Sequence, residues 1–231
     1  FPGARVLRMD ADTTRTKESY EKILSAFADE RADILVGTQM IVKGHDFPNV
    51  TLVGVLAADL SLNQNDYRAG ERTFQLLTQA AGRAGRGSKP GQVVIQTYQP
   101  EHYSVVHAAK QDYEGFYEEE IAYRDFMQYP PVAHLLAVLI VSQIQEQGKR
   151  LGEEMTEMVN CEMGSRAGLQ VIGPTEATIG KLNDFYRHVF YVGHADYQVL
   201  LEVKDRLETF CRQRELKNQT IQFDFDPMTT Y

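Results

Sequence analysis

The chain has 231 residues, enough for one large or two small domains, with 24 Lys+Arg against 32 Asp+Glu and a net charge of −8. That balance argues against a globally basic nucleic-acid binder, and no apolar run is long enough to span a bilayer. Its 2 cysteines, Cys161 and Cys211, lie far apart in helix-like surroundings, which is neither a disulfide framework nor a zinc-site spacing. With no signal peptide, the reading is cytoplasmic, and the missing initiator Met at Phe1 points to a piece of a longer chain. Charge is split unevenly. Residues 1–99 hold 12 Lys+Arg and 11 Asp+Glu, whereas residues 100–231 hold 12 and 21. The second part should not grip a phosphate backbone over a broad face.

In chain order, Arg5 to Met9 is short and alternating, a strand pattern. Asp10 to Thr14 reads as a loop, and Thr16 heads a helix to about Ala28, with Tyr20, Ile23, Leu24 and Phe27 at helical spacing. Ile34-Leu35-Val36 is the next strand and Thr51 to Leu56 another. A helix is expected from Asp66 to Ala80, with Phe74, Leu76 and Leu77 inward, then a strand within Gly91 to Tyr98. Strands alternating with helices imply parallel βαβ units. His102 to Lys110 and Tyr113 to Met127 read as helices, and Glu118-Glu119-Glu120 as a solvated face rather than a metal site. Tyr129-Pro130-Pro131 is a firm stop.

Beyond it come a strand (Leu135 to Val141), a helix (Gln145 to Met163, with Leu151, Met155, Met158 and Val159 inward) and a strand (Leu169 to Ile172) ending at Gly173-Pro174. Then follow a strand (Phe185 to Val192), a helix (Tyr197 to Arg214, striped by Leu200, Leu201, Val203, Leu207 and Phe210) and a last strand (Ile221 to Phe225). That order is β-α-β-β-α-β, the ferredoxin-like pattern.

Two stretches carry chemistry. The first is Gly37-Thr38-Gln39-Met40-Ile41-Val42-Lys43-Gly44-His45-Asp46-Phe47-Pro48, just beyond the carboxyl end of a strand, where open α/β sheets bind ligands. The Thr38 hydroxyl and the turn's backbone N–H groups suit a nucleic-acid phosphate. The second is Gln79-Ala80-Ala81-Gly82-Arg83-Ala84-Gly85-Arg86-Gly87. Spacings of four and three would put Gln79, Arg83 and Arg86 on one helix face. Planar guanidinium forks beside a small-residue surface suit a phosphate. Read singly, each also has a plainer reading: a solvated basic helix end, a turn lysine, a capping aspartate.

Together the two stretches resemble motifs V and VI in the second RecA-like lobe of superfamily-two helicases. The wording from Gly37 to Pro48 is narrower and is similar to the bacterial primosomal replication-restart helicases, the primosomal protein N′ family. The resemblance implies a partial RecA-like lobe at 1–110 and a ferredoxin-like C-terminal domain with a helical connector at 111–231. It implies DNA-backbone contacts at Thr38, Gln39 and Lys43, and nucleotide contacts at Gly44 and Asp46. Gln79 would face the γ-phosphate, with Arg83 and Arg86 as arginine fingers. Implied cofactors are ATP and Mg²⁺, shared with a first lobe, and zinc in an upstream cysteine-rich module. This chain contains no G-x-x-x-x-G-K-[ST] run and should not hydrolyse ATP by itself. Implied partners are single-stranded and forked DNA, single-strand-binding protein and primosome proteins. In the tail, Lys181, Tyr186 and Arg187 sit where cations and aromatics cluster on the link between the middle strands. They suit base stacking or a peptide tail, or form a hairpin with wet charges. Two other readings stand beside this one: another superfamily-two translocase, and a non-catalytic adaptor whose tail domain does the binding.

Overall fold

The computed structural model describes residues 1–42, 47–87, 89–214, 216, 218–229 and 231. The chain divides into two compact units: Phe1–Gln64 with Ala69–Phe116, and Asn65–Arg68 with Tyr117–Tyr231.

The first unit opens with β1 (Val6–Met9), α1 (Lys17–Ala28) and β2 (Ile34–Gly37), with β1 and β2 paired in parallel from Val6↔Ile34 to Met9↔Gly37. Thr16 caps α1 by accepting the Ser19 N–H at 3.2 Å, the role expected of a threonine with extended backbone before a helix. At the foot of this ladder Arg5 meets Asp33 through Nε (3.0 Å) and Nη2 (2.7 Å), and these bonds pull the Asp33 carboxyl down to about 2.

A second parallel pair joins β3 (Leu52–Val55) to β4 (Gln92–Ile95). Between them lie α2 (Asp59–Leu62), a single turn that the sequence reading lacks, and α3 (Ala69–Ala81). The expected helix start at Asp66 is corrected. Asp66 accepts the Arg68 N–H (2.9 Å) and closes a turn instead, so the helix begins at Ala69. α4 (Tyr103–Lys110), capped by His102, and α5 (Tyr113–Met127) follow. Phe74 of α3 stacks on Phe116 with centroids 4.1 Å apart, and around them Ala58, Leu77, Val105 and Ala108 form a small core. Asp59, buried, takes the Thr97 hydroxyl (2.8 Å) and the Tyr98 N–H (3.1 Å), which lowers its pKa and pins the chain after β4.

The second unit is built on β5 (His134–Ser142), α6 (Gln145–Met163), β6 (Gln170–Leu182), β7 (Phe185–His194), α7 (Tyr197–Gln213) and β8 (Gln219–Phe225). The sheet is antiparallel with spatial order β6-β7-β5-β8, which is the ferredoxin-like arrangement expected of this element order. One face carries Leu136, Val138 and Ile140 against Leu151, Met155 and Val159 of α6 and Leu200, Val203 and Leu207 of α7. The other face carries Leu139, Ala177 and Val189, with Tyr231 packed on it. Burial on both faces explains why β5 reads as a continuous apolar run rather than an alternation.

Two expectations are corrected here. β6 does not stop at Gly173-Pro174 but runs on to Leu182, with a register shift between Ile172 and Thr175. It lies at the sheet edge, where a proline's missing N–H costs no ladder bond. Nor is the Glu118-Glu119-Glu120 run wholly solvated. The Glu120 side chain is buried, and its Oε1 accepts Arg124 Nε (2.8 Å) and Nη2 (2.7 Å).

Candidate functional site

β2 delivers the first stretch. Gly37 pairs with Met9, and a Cβ built on it would lie 2.3 Å from the Met9 carbonyl oxygen, so the strand end admits no side chain. Thr38 and Gln39 follow directly and are both exposed. The Thr38 carbonyl accepts the Ile41 N–H (3.2 Å) and turns the chain into a 3-10 segment, Gln39–Val42. Lys43, Gly44 and Asp46 lie outside the described residues.

The partner strand ends beside this turn, because Met9 is opposite Gly37 and Asp10 comes next. The loop after Met9 is held by its own bonds. The Asp10 carboxylate accepts the Thr13 N–H (3.0 Å), which lowers its pKa, and the Thr14 hydroxyl donates to the Asp10 carbonyl (2.6 Å). Exposed Thr38 therefore sits beside the Asp10–Thr14 loop at the carboxyl ends of paired parallel strands, the position where α/β sheets present ligand-binding groups.

α3 delivers the second stretch. Phe74, Leu77 and Ala80 are buried, and Gln79, exposed, is in the last turn. The single helix face expected for Gln79, Arg83 and Arg86 is not what forms. The helix ends at Ala81, and the Arg83 and Ala84 N–H groups bond back only three residues, to Ala80 and Ala81. Gly82 and Gly85 so near the end explain the early stop, since glycine is costly in a helix and Gly85 takes φ +74°. Arg83 lies half-buried with its Nε covered. Arg86 is exposed, and its Nε donates to the Gly82 carbonyl at 2.7 Å, which aims the guanidinium across the end of α3.

The second stretch packs through backbone on the end of the first and on the residues just past it. The Gly85 N–H donates to the Val50 carbonyl (3.0 Å). A Cβ on Gly87 would lie 2.3 Å from the Pro48 carbonyl oxygen, and one on Gly91 would lie 2.2 Å from Gly85 N. The glycines thus serve close packing: Gly85 threads between Val50 and Gly91, and Gly87 rests on Pro48. Gly91 was missed as a site residue, and nothing in the local sequence marks it. Phe47 resumes the chain after the first stretch with its ring edge on Phe27 of α1, 5.0 Å between centroids.

In the second unit, Asn183 and Asp184 take φ +49° and +64° and form a two-residue hairpin turn between β6 and β7. Lys181 Nζ lies 5.1 Å from the Tyr186 ring centroid and 3.2 Å from Asp184, whose hydrogen bond raises its pKa. Arg187 Nη1 donates to the Ile179 carbonyl (3.2 Å). Both cations are thus engaged within the hairpin. Cys161 and Cys211 are free thiols. Among the described residues no group of three or more His, Cys, Asp or Glu side chains is placed to hold a metal ion.

Comparison with known proteins covers both units. Residues 2–88 match the helicase conserved C-terminal domain, and residues 126–228 match the primosomal protein N C-terminal domain. The chain is 44% identical over 228 residues to the replication restart protein PriA of Bacillus subtilis, and 36% identical over 229 residues to that of Synechocystis. It is 37% identical over 232 residues to that of Chlamydia muridarum. These alignments take in 98%, 99% and 100% of the chain but 28%, 27% and 30% of the relatives, so the chain spans less than a third of their length. The helicase-type lobe with its two glycine-containing stretches, the ferredoxin-like domain that follows it in sequence, and a match to the same kind of protein along the whole chain place it in one family: the chain belongs to the PriA family of replication restart proteins and corresponds to their C-terminal part.

Proposed function

We propose that this chain is the second-lobe and C-terminal part of an ATP-dependent 3′ to 5′ DNA helicase that restarts stalled replication forks by loading the primosome. The observation that carries this reading is the backbone bond that ties the second stretch to the chain two residues past the first, Gly85 N–H on the Val50 carbonyl. It supports a shared role for the turn after β2 and the arginine end of α3 in one site. In this reading Thr38, Gln39 and Lys43 hold one DNA strand by its backbone, and Gly44 and Asp46 border the nucleotide. Gln79 addresses the γ-phosphate, and Arg83 and Arg86 neutralise charge that develops during phosphoryl transfer.

The donor set fits a polyphosphate. Two guanidiniums and an amide stand beside a glycine turn, and Arg86 is already oriented by Gly82. Such preorganised charge is what catalysis of phosphoryl transfer requires. ATP with Mg²⁺ is the proposed substrate pair, with the phosphate-binding loop supplied by a first lobe. Without that loop this chain alone should not turn over ATP. Zinc belongs to the upstream module of the longer protein and not to this chain. The proposed partners are single-stranded and forked DNA, single-strand-binding protein and primosome proteins. Lys181, Tyr186 and Arg187 form the hairpin that would meet a partner, and the setting is the bacterial cytoplasm.

The test uses Arg86→Ala and Arg86→Lys in the full-length protein. DNA-stimulated hydrolysis should fall by about 10³–10⁵-fold in the alanine variant, the range for arginine fingers. Lysine should rescue little, because a point charge cannot form the planar fork. Folding and DNA affinity should be nearly unchanged. A destabilised lobe with near-normal turnover would mean that Arg86 only closes the end of α3. In the same protein, Lys43→Ala should reduce the salt dependence of single-strand binding by about one ion. An unchanged slope, DNA affinity and DNA-stimulated hydrolysis would remove Lys43 from the site.

A further inference from the structure

Residues 56–64 and 96–100, all in the first unit, follow the carboxyl ends of β3 and β4, whose register closes on Val55↔Ile95. Asp59 is the only charged residue among them, in a chain that is 24% charged, and it is buried. What these segments show to solvent is apolar or amide. Leu56 is 75% exposed, Leu60 77% and Tyr98 93%, and the Asn63 and Gln99 residues are exposed as well.

The surface is open, yet its backbone is firmly held. The buried Asp59 carboxylate accepts the Thr97 hydroxyl (2.8 Å) and the Tyr98 N–H (3.1 Å), so a charge inside the lobe fixes the backbone that carries the exposed ring. Gln99 Nε2 donates to Asn63 Oδ1 at 3.4 Å and links the two segments. The Ala58 N–H donates to the Gln96 carbonyl (3.1 Å), and Ala57 before it takes φ +53°. A non-glycine residue stays in that region only where its surroundings over-determine it. α2 is fastened to the lobe from within: Ala58 and Leu62 pack into the cluster around Phe74, and the Thr73 hydroxyl bonds Ser61 Oγ at 2.8 Å.

Exposed apolar residues scattered singly need no explanation. Here three lie at one end of one strand pair, with no exposed charge in the segments that carry them, where α/β sheets present ligand-binding groups. The lack of charge selects the ligand. A phosphate calls for cations of the kind offered by Lys43 or Arg86. A nucleobase is uncharged, stacks on an aromatic face and hydrogen-bonds through its edge to side-chain amides. We propose that Tyr98, with Leu56 and Leu60 at the same strand ends, is a stacking platform for the bases of single-stranded DNA. Asp59 is its positioning residue, because it holds the Tyr98 backbone in place before a strand arrives.

The proposal rests on the DNA-helicase reading, and the experiment separates the two. In the full-length protein, Tyr98→Ala should weaken binding of a single-stranded oligothymidine about tenfold, within the range for one lost base–aromatic stack. The dependence of affinity on salt should keep its slope, since no phosphate contact is removed, whereas Lys43→Ala should flatten it. Tyr98→Phe, which keeps the ring, should bind as the unmodified protein does. The same oligonucleotide with abasic sites in place of its bases should be bound alike by the unmodified protein and by Tyr98→Ala. An equal loss on both strands would mean that the ring acts on the DNA backbone or on the fold, and would overturn the platform. Oligothymidine affinity that stays within about twofold in Tyr98→Ala, well short of one stack, would also overturn it and leave the patch to another part of the longer protein or to a protein partner. In that case the helicase reading stands. If the unmodified protein binds no oligothymidine, the helicase reading fails and the platform with it.

Discussion

In the second unit the central strand β5 is covered on both faces, and Phe190, Leu136, Val138, Ile140, Met155 and Leu200 are fully buried around it. In the first unit the strands among the described residues pair two by two, and Val6, Val36, Leu52 and Val94 stay about half exposed at 57%, 49%, 55% and 50%. Apart from the small core around Phe74 and Phe116, close backbone approaches at Gly37, Gly85, Gly87 and Gly91 shape its candidate site. The second unit is thus held by side-chain volume, and the first, around its site, by the absence of side chains. A site made of loop N–H groups and guanidiniums needs close backbone packing beneath it. A domain that presents a surface needs a dense core.

This contrast can be broken by experiment. The largest effect should come from Phe190→Ala, which empties a fully buried position and should cost about 3–5 kcal/mol in urea unfolding of the chain. The loss should appear in the transition of the second unit. An equal shift in a probe of the first unit would mean that the two melt as one body. Next comes Gly91→Ala. Its Cβ would stand 2.2 Å from Gly85 N and 2.3 Å from the Ala84 carbonyl carbon, both backbone, so the loop must move. A cost of about 1–3 kcal/mol, typical of overpacking, is expected in the first unit alone. A neutral variant would refute the account of the glycine junction.

A smaller effect is set by pH. His188, on β7 between Ile140 and Glu176, is 3% exposed, and its Nδ1 has no hydrogen-bond partner among the described residues. Burial lowers its pKa, Lys149 adds to that, and Glu176 and Glu146 oppose it. The unfolded chain therefore takes up this proton first as the pH falls below about 6.5. Stability should be flat in this group above that pH and fall below it, until the folded pKa is reached. The slope from one proton is at most about 1.4 kcal/mol per pH unit. Unfolding curves between pH 7.5 and 5.5 should show the loss, and His188→Leu should flatten that slope whatever its absolute stability. An unchanged slope would assign the loss to other groups. The smallest effect is expected for Leu52→Ala, whose side chain already faces out: about 0.5 kcal/mol or less. A cost near that of Phe190→Ala would show that this face of the first unit is not a bare one.

Much of the fold is legible in local pattern, because helix and strand periods are written over a few neighbouring residues. The helices α5 and α6 have the bounds read from the sequence, Tyr113–Met127 and Gln145–Met163, Thr16 announces α1, and the order β-α-β-β-α-β is enough to anticipate the ferredoxin-like sheet. The two chemical stretches are legible as well, as wording. Their junction is not. That Gly85 meets Val50 is a matter of distant contact, and that Arg86 bends back on Gly82 instead of extending a helix face follows from where α3 stops. Nor does local pattern reveal that Glu120 is buried while Glu118 and Glu119 are exposed, or that Pro174 lies within an edge strand. For Gly85 and Pro174 the deciding neighbour is remote in sequence or belongs to the sheet as a whole. A residue's own surroundings in the chain fix its preference for helix, strand or turn, but which backbone it must approach, and which charge it must neutralise, is settled only when the other segments arrive.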